Sequence, residues 1–312
     1  MHLGRSNLSR RWLVLVGALL VLPIMASAQE RGQYPLGTNG FNSGVQPSPG
    51  FTYFTLFTFF DAVRLKGLTG NPIPVNASFN LFINQNFFAY VTDYKLLGGN
   101  WGVMYDLPVA NGSVTLLNLG IKGGGAGIAD MYIEPFDLGW HLQRADLKFA
   151  YGVVAPTGRF ARGATDNIGS GYWGHQLQFA ATIYLTANKG TSFSVYNNYE
   201  IHQRKTGTNM TPGQTYSLEW GLAQAVPLDS EKKKLLQAGA VGYLQTQTTN
   251  DSGTLLIPAL NSAHYHVYAI GPEVAFIMPD HGINLLFRYE PEFGAQKRSE
   301  GRTLVFGGGL TF

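Results

Sequence analysis

From Phe51 to the end of the chain, apolar and polar positions alternate with a period of two. Between Ile283 and Glu290, one parity holds Ile283, Leu285, Phe287 and Tyr289, and the other holds Asn284, Arg288, Glu290 and then Glu292. A helix would spread those charges around its circumference, whereas a strand gathers them on one face. The same reading sets Ser194, Tyr196, Asn198, Glu200, His202 and Arg204 opposite Phe193, Val195, Tyr199 and Ile201. Tyr216, Leu218, Trp220 and Leu222 likewise oppose Thr215, Ser217 and Glu219. Each segment has one greasy face and one wet face.

The pattern predicts about twelve strands, roughly at 51–63, 77–94, 100–120, 128–141, 147–157, 171–186, 191–205, 214–226, 234–249, 264–278, 283–293 and 302–312. Connections near 95–99, 142–146, 187–190, 227–233 and 279–282 are short, and those near 64–76, 158–170, 206–213, 250–263 and 294–301 are mostly longer and polar or Gly-rich. That alternation of lengths fits a transmembrane antiparallel β-barrel with short periplasmic turns and longer outer loops, both termini periplasmic. A soluble sandwich carries no such alternation. The segment 128–141 breaks the pattern, because Asp130 and Glu134 share a parity with Phe136, Leu138 and Trp140; a bulge near Pro135 would reset it. Leu304, Phe306, Leu310 and Phe312 share the apolar face of the final strand, and its closing aromatic resembles the C-terminal signal of barrels inserted by the outer-membrane assembly machinery.

Residues 1–28 read as a signal peptide, with Arg5, Arg10 and Arg11 before the apolar run Trp12–Leu22 and an Ala26-Ser27-Ala28 cleavage site. Residues 29–50, rich in Gly, Pro, Asn and Gln, form an irregular N-terminal arm or plug, and 51–312 form the barrel. Pro35, Pro47, Pro49 and several glycines keep the arm from joining the sheet, so it belongs in the periplasm or the lumen. In the lumen, Tyr34 and Phe41 would narrow the bore.

Composition sharpens this picture. Charged residues are 13% and glycines number 39 of 312, where a soluble domain has about 25% charge and about 7% glycine. A net charge of +3 is too weak and scattered for a nucleic-acid partner. The absence of cysteine removes disulfides, thiol nucleophiles and Cys-based zinc sites. His264 and His266 share a strand face without a third ligand, so no metal is expected, and the run Gly123–Gly127 lacks what a phosphate loop needs and reads as a flexible loop or tight connection. No cofactor is implied. On the inward face, Glu200, His202, Arg204, Glu219, Glu273, Arg288, Glu290 and Glu292 are the lumen-lining candidates, read as an ion-paired, hydrated network rather than acid–base machinery. A membrane-embedded hydrolase is the first alternative, although no His-x-Ser pair occurs, and a non-conducting structural or adhesive barrel is the second.

Several segments carry a family likeness: Tyr34-Pro35-Leu36-Gly37, Pro47-Ser48-Pro49-Gly50-Phe51, Gly139-Trp140-His141, Ala155-Pro156-Thr157-Gly158-Arg159-Phe160, Gly271-Pro272-Glu273 and Arg288-Tyr289-Glu290-Pro291-Glu292-Phe293. In these the chain resembles the outer-membrane family associated with the meta-pathway of phenol degradation. The resemblance implies a monomeric outer-membrane barrel, a channel or transport protein associated with uptake of aromatic or other hydrophobic compounds, whose partners are outer-membrane lipid, the assembly machinery and a small hydrophobic or aromatic solute. It brings no binding residues with it, and no enzyme activity.

Overall fold

β-Branched and aromatic residues at alternate positions produce a sheet in which every neighbouring pair is antiparallel. Its strands are β1 (Gly50–Leu65), β2 (Ala77–Leu96), β3 (Gly99–Asp106), β4 (Val109–Leu116), β5 (Ile121–Ile128), β6 (Met131–His141) and β7 (Ala145–Ala155). They continue as β8 (Gly174–Tyr184), β9 (Thr191–His202), β10 (Thr215–Pro227), β11 (Leu235–Gln247), β12 (His266–Met278), β13 (Ile283–Gln296) and β14 (Ser299–Thr311). The computed structural model describes residues 32–75, 77–117, 120–231, 233–253 and 262–312. The expected signal peptide and the first residues of the arm lie outside them.

The sheet closes because β1 pairs with both β2 and β14. β3 and β4 both pair with β2 and form one wall strand bent at Leu107-Pro108; β5 and β6 form a second, bent at Ala129-Asp130. Counted this way the barrel has twelve antiparallel strands. Proline at the first bend removes a ladder donor, and the Leu107 carbonyl freed there accepts a hydrogen bond from Asn86 Nδ2 at 3.1 Å. Among the described residues β5 pairs with β4 alone, and its other edge meets the loop 156–173 through Gly124 N donating to Thr165 O.

The bulge expected near Pro135 is present: the register shifts between Ile133 and Phe136. Glu134 before it and Asp137 after it therefore both face inward, where Lys148 pairs with them at 3.2 and 3.1 Å. Two expectations are corrected. The segment 294–301 is no long loop, since β13 and β14 join through Lys297 and Arg298; Glu300 accepts from Ala295 N and pairs with Lys66, so charged residues that read as loop hold a tight hairpin. Gly123–Gly127 lies within β5, because β4 supplies the ladder its backbone needs.

The long loops all lie at one end, together with the 297–298 hairpin, and the other end carries short connections alone, so that end is periplasmic. Leu222, Leu285, Phe287 and Phe306 stand exposed on the outer wall, as side chains solvated by lipid do.

Candidate functional site

The arm threads the whole lumen. Gln46, at the periplasmic end, donates to Asn100 O and Asp137 O, whereas Gly32 N donates to Tyr265 Oη at the outer end, at 2.7 Å. Both termini were expected on the periplasmic side. Phe312 does lie beside Phe51 there, but the arm climbs from Gly50 and carries Gly32 to the outer mouth.

An arm broken by prolines and glycines cannot satisfy its own backbone, and buried N–H and C=O groups must find partners. The lumen carboxylates supply them. Glu200 accepts from Tyr34 N at 2.6 Å, and Glu219 accepts from Gly37 N at 2.7 Å and Asn39 N at 2.5 Å. Glu273 accepts from Phe41 N at 3.4 Å. Arg288 Nη1 donates to Gly37 O at 2.6 Å and Asn39 O at 2.7 Å, while its Nε donates to Glu273 at 2.8 Å. The arm lies so close that a Cβ at Gly40 would overlap Glu273 and Arg288.

Of the lumen candidates, Glu200, Glu219, Glu273 and Arg288 thus converge on the arm. Glu290 is buried against Gly37, and Glu292 accepts from Arg298 and Tyr243 Oη, both at 3.1 Å. His202 is buried, its Nδ1 at 2.9 Å from Gly213 O and its Nε2 at 3.7 Å from Glu200. Arg204 is the correction: β9 ends at His202, so the alternation does not reach Arg204, which is exposed in the outer loop. Tyr34 stacks on Tyr196 with centroids 5.4 Å apart, and Phe41 rests where Gly221 has no side chain.

The arm occupies one side of the lumen. Its hydrogen bonds to strand side chains go mostly to β8–β13, whose inward positions are rich in Glu, Gln, Ser, Thr and Arg. The opposite wall is different. Phe54, Leu56 and Phe60 on β1, Phe79, Leu81 and Ile83 on β2, and Val114 and Leu116 on β4 all line the cavity. Here Tyr53, Thr55, Asn84 and Asn86 point outward: Asn84 Nδ2 donates to Thr55 Oγ1 at 2.8 Å, and Tyr53 Oη donates to Asn86 Oδ1 at 2.7 Å, on the outer face, while Thr58 and Gln85 face the cavity. The cavity between arm and apolar wall has a volume of about 1570 Å³ and is lined from Leu116 at the outer end to Gly282 at the periplasmic end. Alternation alone did not reveal this wall, because polar-in, apolar-out is the barrel rule and β2 reverses it.

At the bend between β5 and β6, Asp130 ties loop, wall and arm together. It accepts from Gly158 N at 2.9 Å, Ser170 N at 2.6 Å and Ser170 Oγ at 2.5 Å, and Ser170 Oγ also accepts from Gln33 of the arm at 2.6 Å. Among the described residues no group of three His, Asp or Glu could hold a metal ion.

The chain is similar to the COG4313 outer membrane channel from Pseudomonas putida F1, with a TM-score of 0.68 and 13% identity over 88% of this chain and 100% of that one. It is also similar to the β domain of the Bordetella autotransporter BrkA, with a TM-score of 0.51 and 11% identity over 85% of this chain and 100% of that one. At such identities the likeness is one of fold. No curated protein matches it in sequence. The family model described as "Putative MetA-pathway of phenol degradation" matches residues 62–306.

Proposed function

Because the chain belongs to that phenol-degradation family of outer-membrane barrels, we propose that it is a channel admitting small hydrophobic or aromatic compounds to a cell that degrades them. The division of the lumen carries this reading. The arm fills the polar side, and the space left free runs along Phe54, Leu56, Phe60, Phe79, Leu81 and Leu116. An apolar solute that hides about 100 Å² against such a wall gains about 2.5 kcal/mol, or roughly 70-fold in local concentration. A hydrophilic solute gains nothing there and meets the narrowed bore.

A hydrolase needs a nucleophile beside its base. The contact of His141 Nδ1 with Asp146 at 2.8 Å has the Tyr184 hydroxyl as its third member, not a serine, which supports the channel over the enzyme. The test is uptake of naphthalene and of a pentose by cells with and without the protein. Faster entry of naphthalene alone is the expected result. Equal acceleration of both, or of the pentose alone, would refute the reading.

A further inference from the structure

The apolar wall is interrupted at one inward position of β2, between Ile83 and Phe87, by Gln85. Its side chain is buried, and its orientation is set by Asp106, an acceptor that takes the Gln85 Nε2 hydrogen at 3.0 Å. Gln85 Oε1 is left facing the arm, where Thr38 Oγ1 stands 3.2 Å away. Thr38 has one hydroxyl hydrogen, and Pro35 O competes for it at 2.6 Å. The shorter contact wins that hydrogen, so Gln85 Oε1 is an under-served acceptor on the cavity wall.

Above Gln85, toward the outer mouth, the wall is apolar for six residues of β2, about 20 Å of strand. Ile83, Leu81 and Phe79 line it, with Leu56 and Phe60 across on β1 and the buried Thr58 between them opposite Ile83; the Phe60 and Phe79 rings lie 5.9 Å apart. We propose that this stretch is a binding site for an apolar molecule carrying one hydroxyl group, such as a phenol or a fatty alcohol. The body lies on Leu56, Phe60, Phe79, Leu81 and Ile83, and the hydroxyl donates to Gln85 Oε1 in place of Thr38. The site rests on the channel reading and gives its solute a polar end. It also joins binding to passage, because the hydroxyl takes the acceptor through which the arm touches this wall.

The test compares 2-naphthol with 2-methylnaphthalene, the same shape with a methyl for the hydroxyl, by equilibrium dialysis against the full barrel in nanodiscs, with empty nanodiscs subtracted. Folding of each variant is checked by heat-modifiable migration. The native protein should favour 2-naphthol over its partner more strongly than the empty nanodiscs do. In Gln85→Leu that preference should fall about tenfold, since a buried hydroxyl then lacks its acceptor. Thr38→Val should tighten 2-naphthol about twofold to fivefold with 2-methylnaphthalene unchanged, and Leu81→Ser should weaken both. A preference in Gln85→Leu equal to that of the native protein overturns the site while leaving the channel reading intact. Failure of both compounds to bind the native protein overturns the channel reading as well.

Discussion

Arg288 is the side chain on which the arm depends most, and its contribution can be worked out. It donates to two arm carbonyls, Gly37 O and Asn39 O, and pairs with Glu273. Removing Arg288 alone would leave Glu273 buried without its counter-charge, a defect of about 3–5 kcal/mol that would obscure the effect on the arm. The informative variant is therefore Arg288→Met with Glu273→Gln, which keeps the lumen's net charge and side-chain volumes while deleting both bonds to the arm. Hydrogen bonds to a charged group contribute about 1.5–3 kcal/mol each, so arm docking should weaken by about 3–6 kcal/mol, a factor of roughly 10²–10⁴. Ser43, whose hydroxyl is buried, is a suitable reporter when changed to cysteine. Its labelling by a water-soluble maleimide follows the undocked fraction of the arm and should accelerate by that factor in the double variant. An unchanged labelling rate in a correctly folded barrel would show that Arg288 does not hold the arm.

Three further outcomes follow from the geometry. Cysteines at Glu200, Glu219, Glu290 and Glu292 should react with small hydrophilic thiol reagents faster in an arm-deleted barrel than in the native one, and those at Val195, Leu218, Leu285 and Phe287 should react in neither; equal reactivity on both faces would refute the wall assignment. Epitope tags in the 158–170 and 250–263 loops should label on intact cells, and tags in the 187–190 and 279–282 turns should not; the reverse pattern would invert the topology. Asp130→Asn replaces an acceptor with a donor that faces the Ser170 and Gly158 N–H groups, so trypsin should cut at Arg159 or Arg162 severalfold faster, and unchanged cleavage would contradict the role given to Asp130.

What could be read from the chain beforehand followed from periodicity. The run 283–293 and the run 191–202 have side-chain parities that match the observed faces, because one face meets lipid and the other a wet, charged lumen. The bulge at Pro135 was legible for the same reason, because Asp130 and Glu134 share a parity with Phe136, Leu138 and Trp140; that Glu134 and Asp137 both meet Lys148 across it is visible only in the structure. Parity failed where the two environments were not contrasting. On β1, Phe51, Phe54, Phe57, Phe59 and Phe60 place aromatics on both faces. On β2 the asparagines go outward to serve each other and the Leu107 carbonyl, so the apolar route through the lumen left no signature in the alternation. Arg204 failed because periodicity does not mark where a strand ends. The length of the arm suggested a plug, but its direction and its grip by carboxylates depend on tertiary contacts alone.

The central claim is that the arm fills the polar side of the lumen and leaves an apolar route beside it. Deleting residues 30–47 while keeping residues 1–29, and recording single channels in planar bilayers, tests this most directly. The truncated barrel should conduct ions severalfold better and pass pentoses that the native barrel excludes, because the Glu200, Glu219 and Arg288 side is then open to water. A correctly inserted truncation with native conductance and native exclusion of pentoses would contradict the claim.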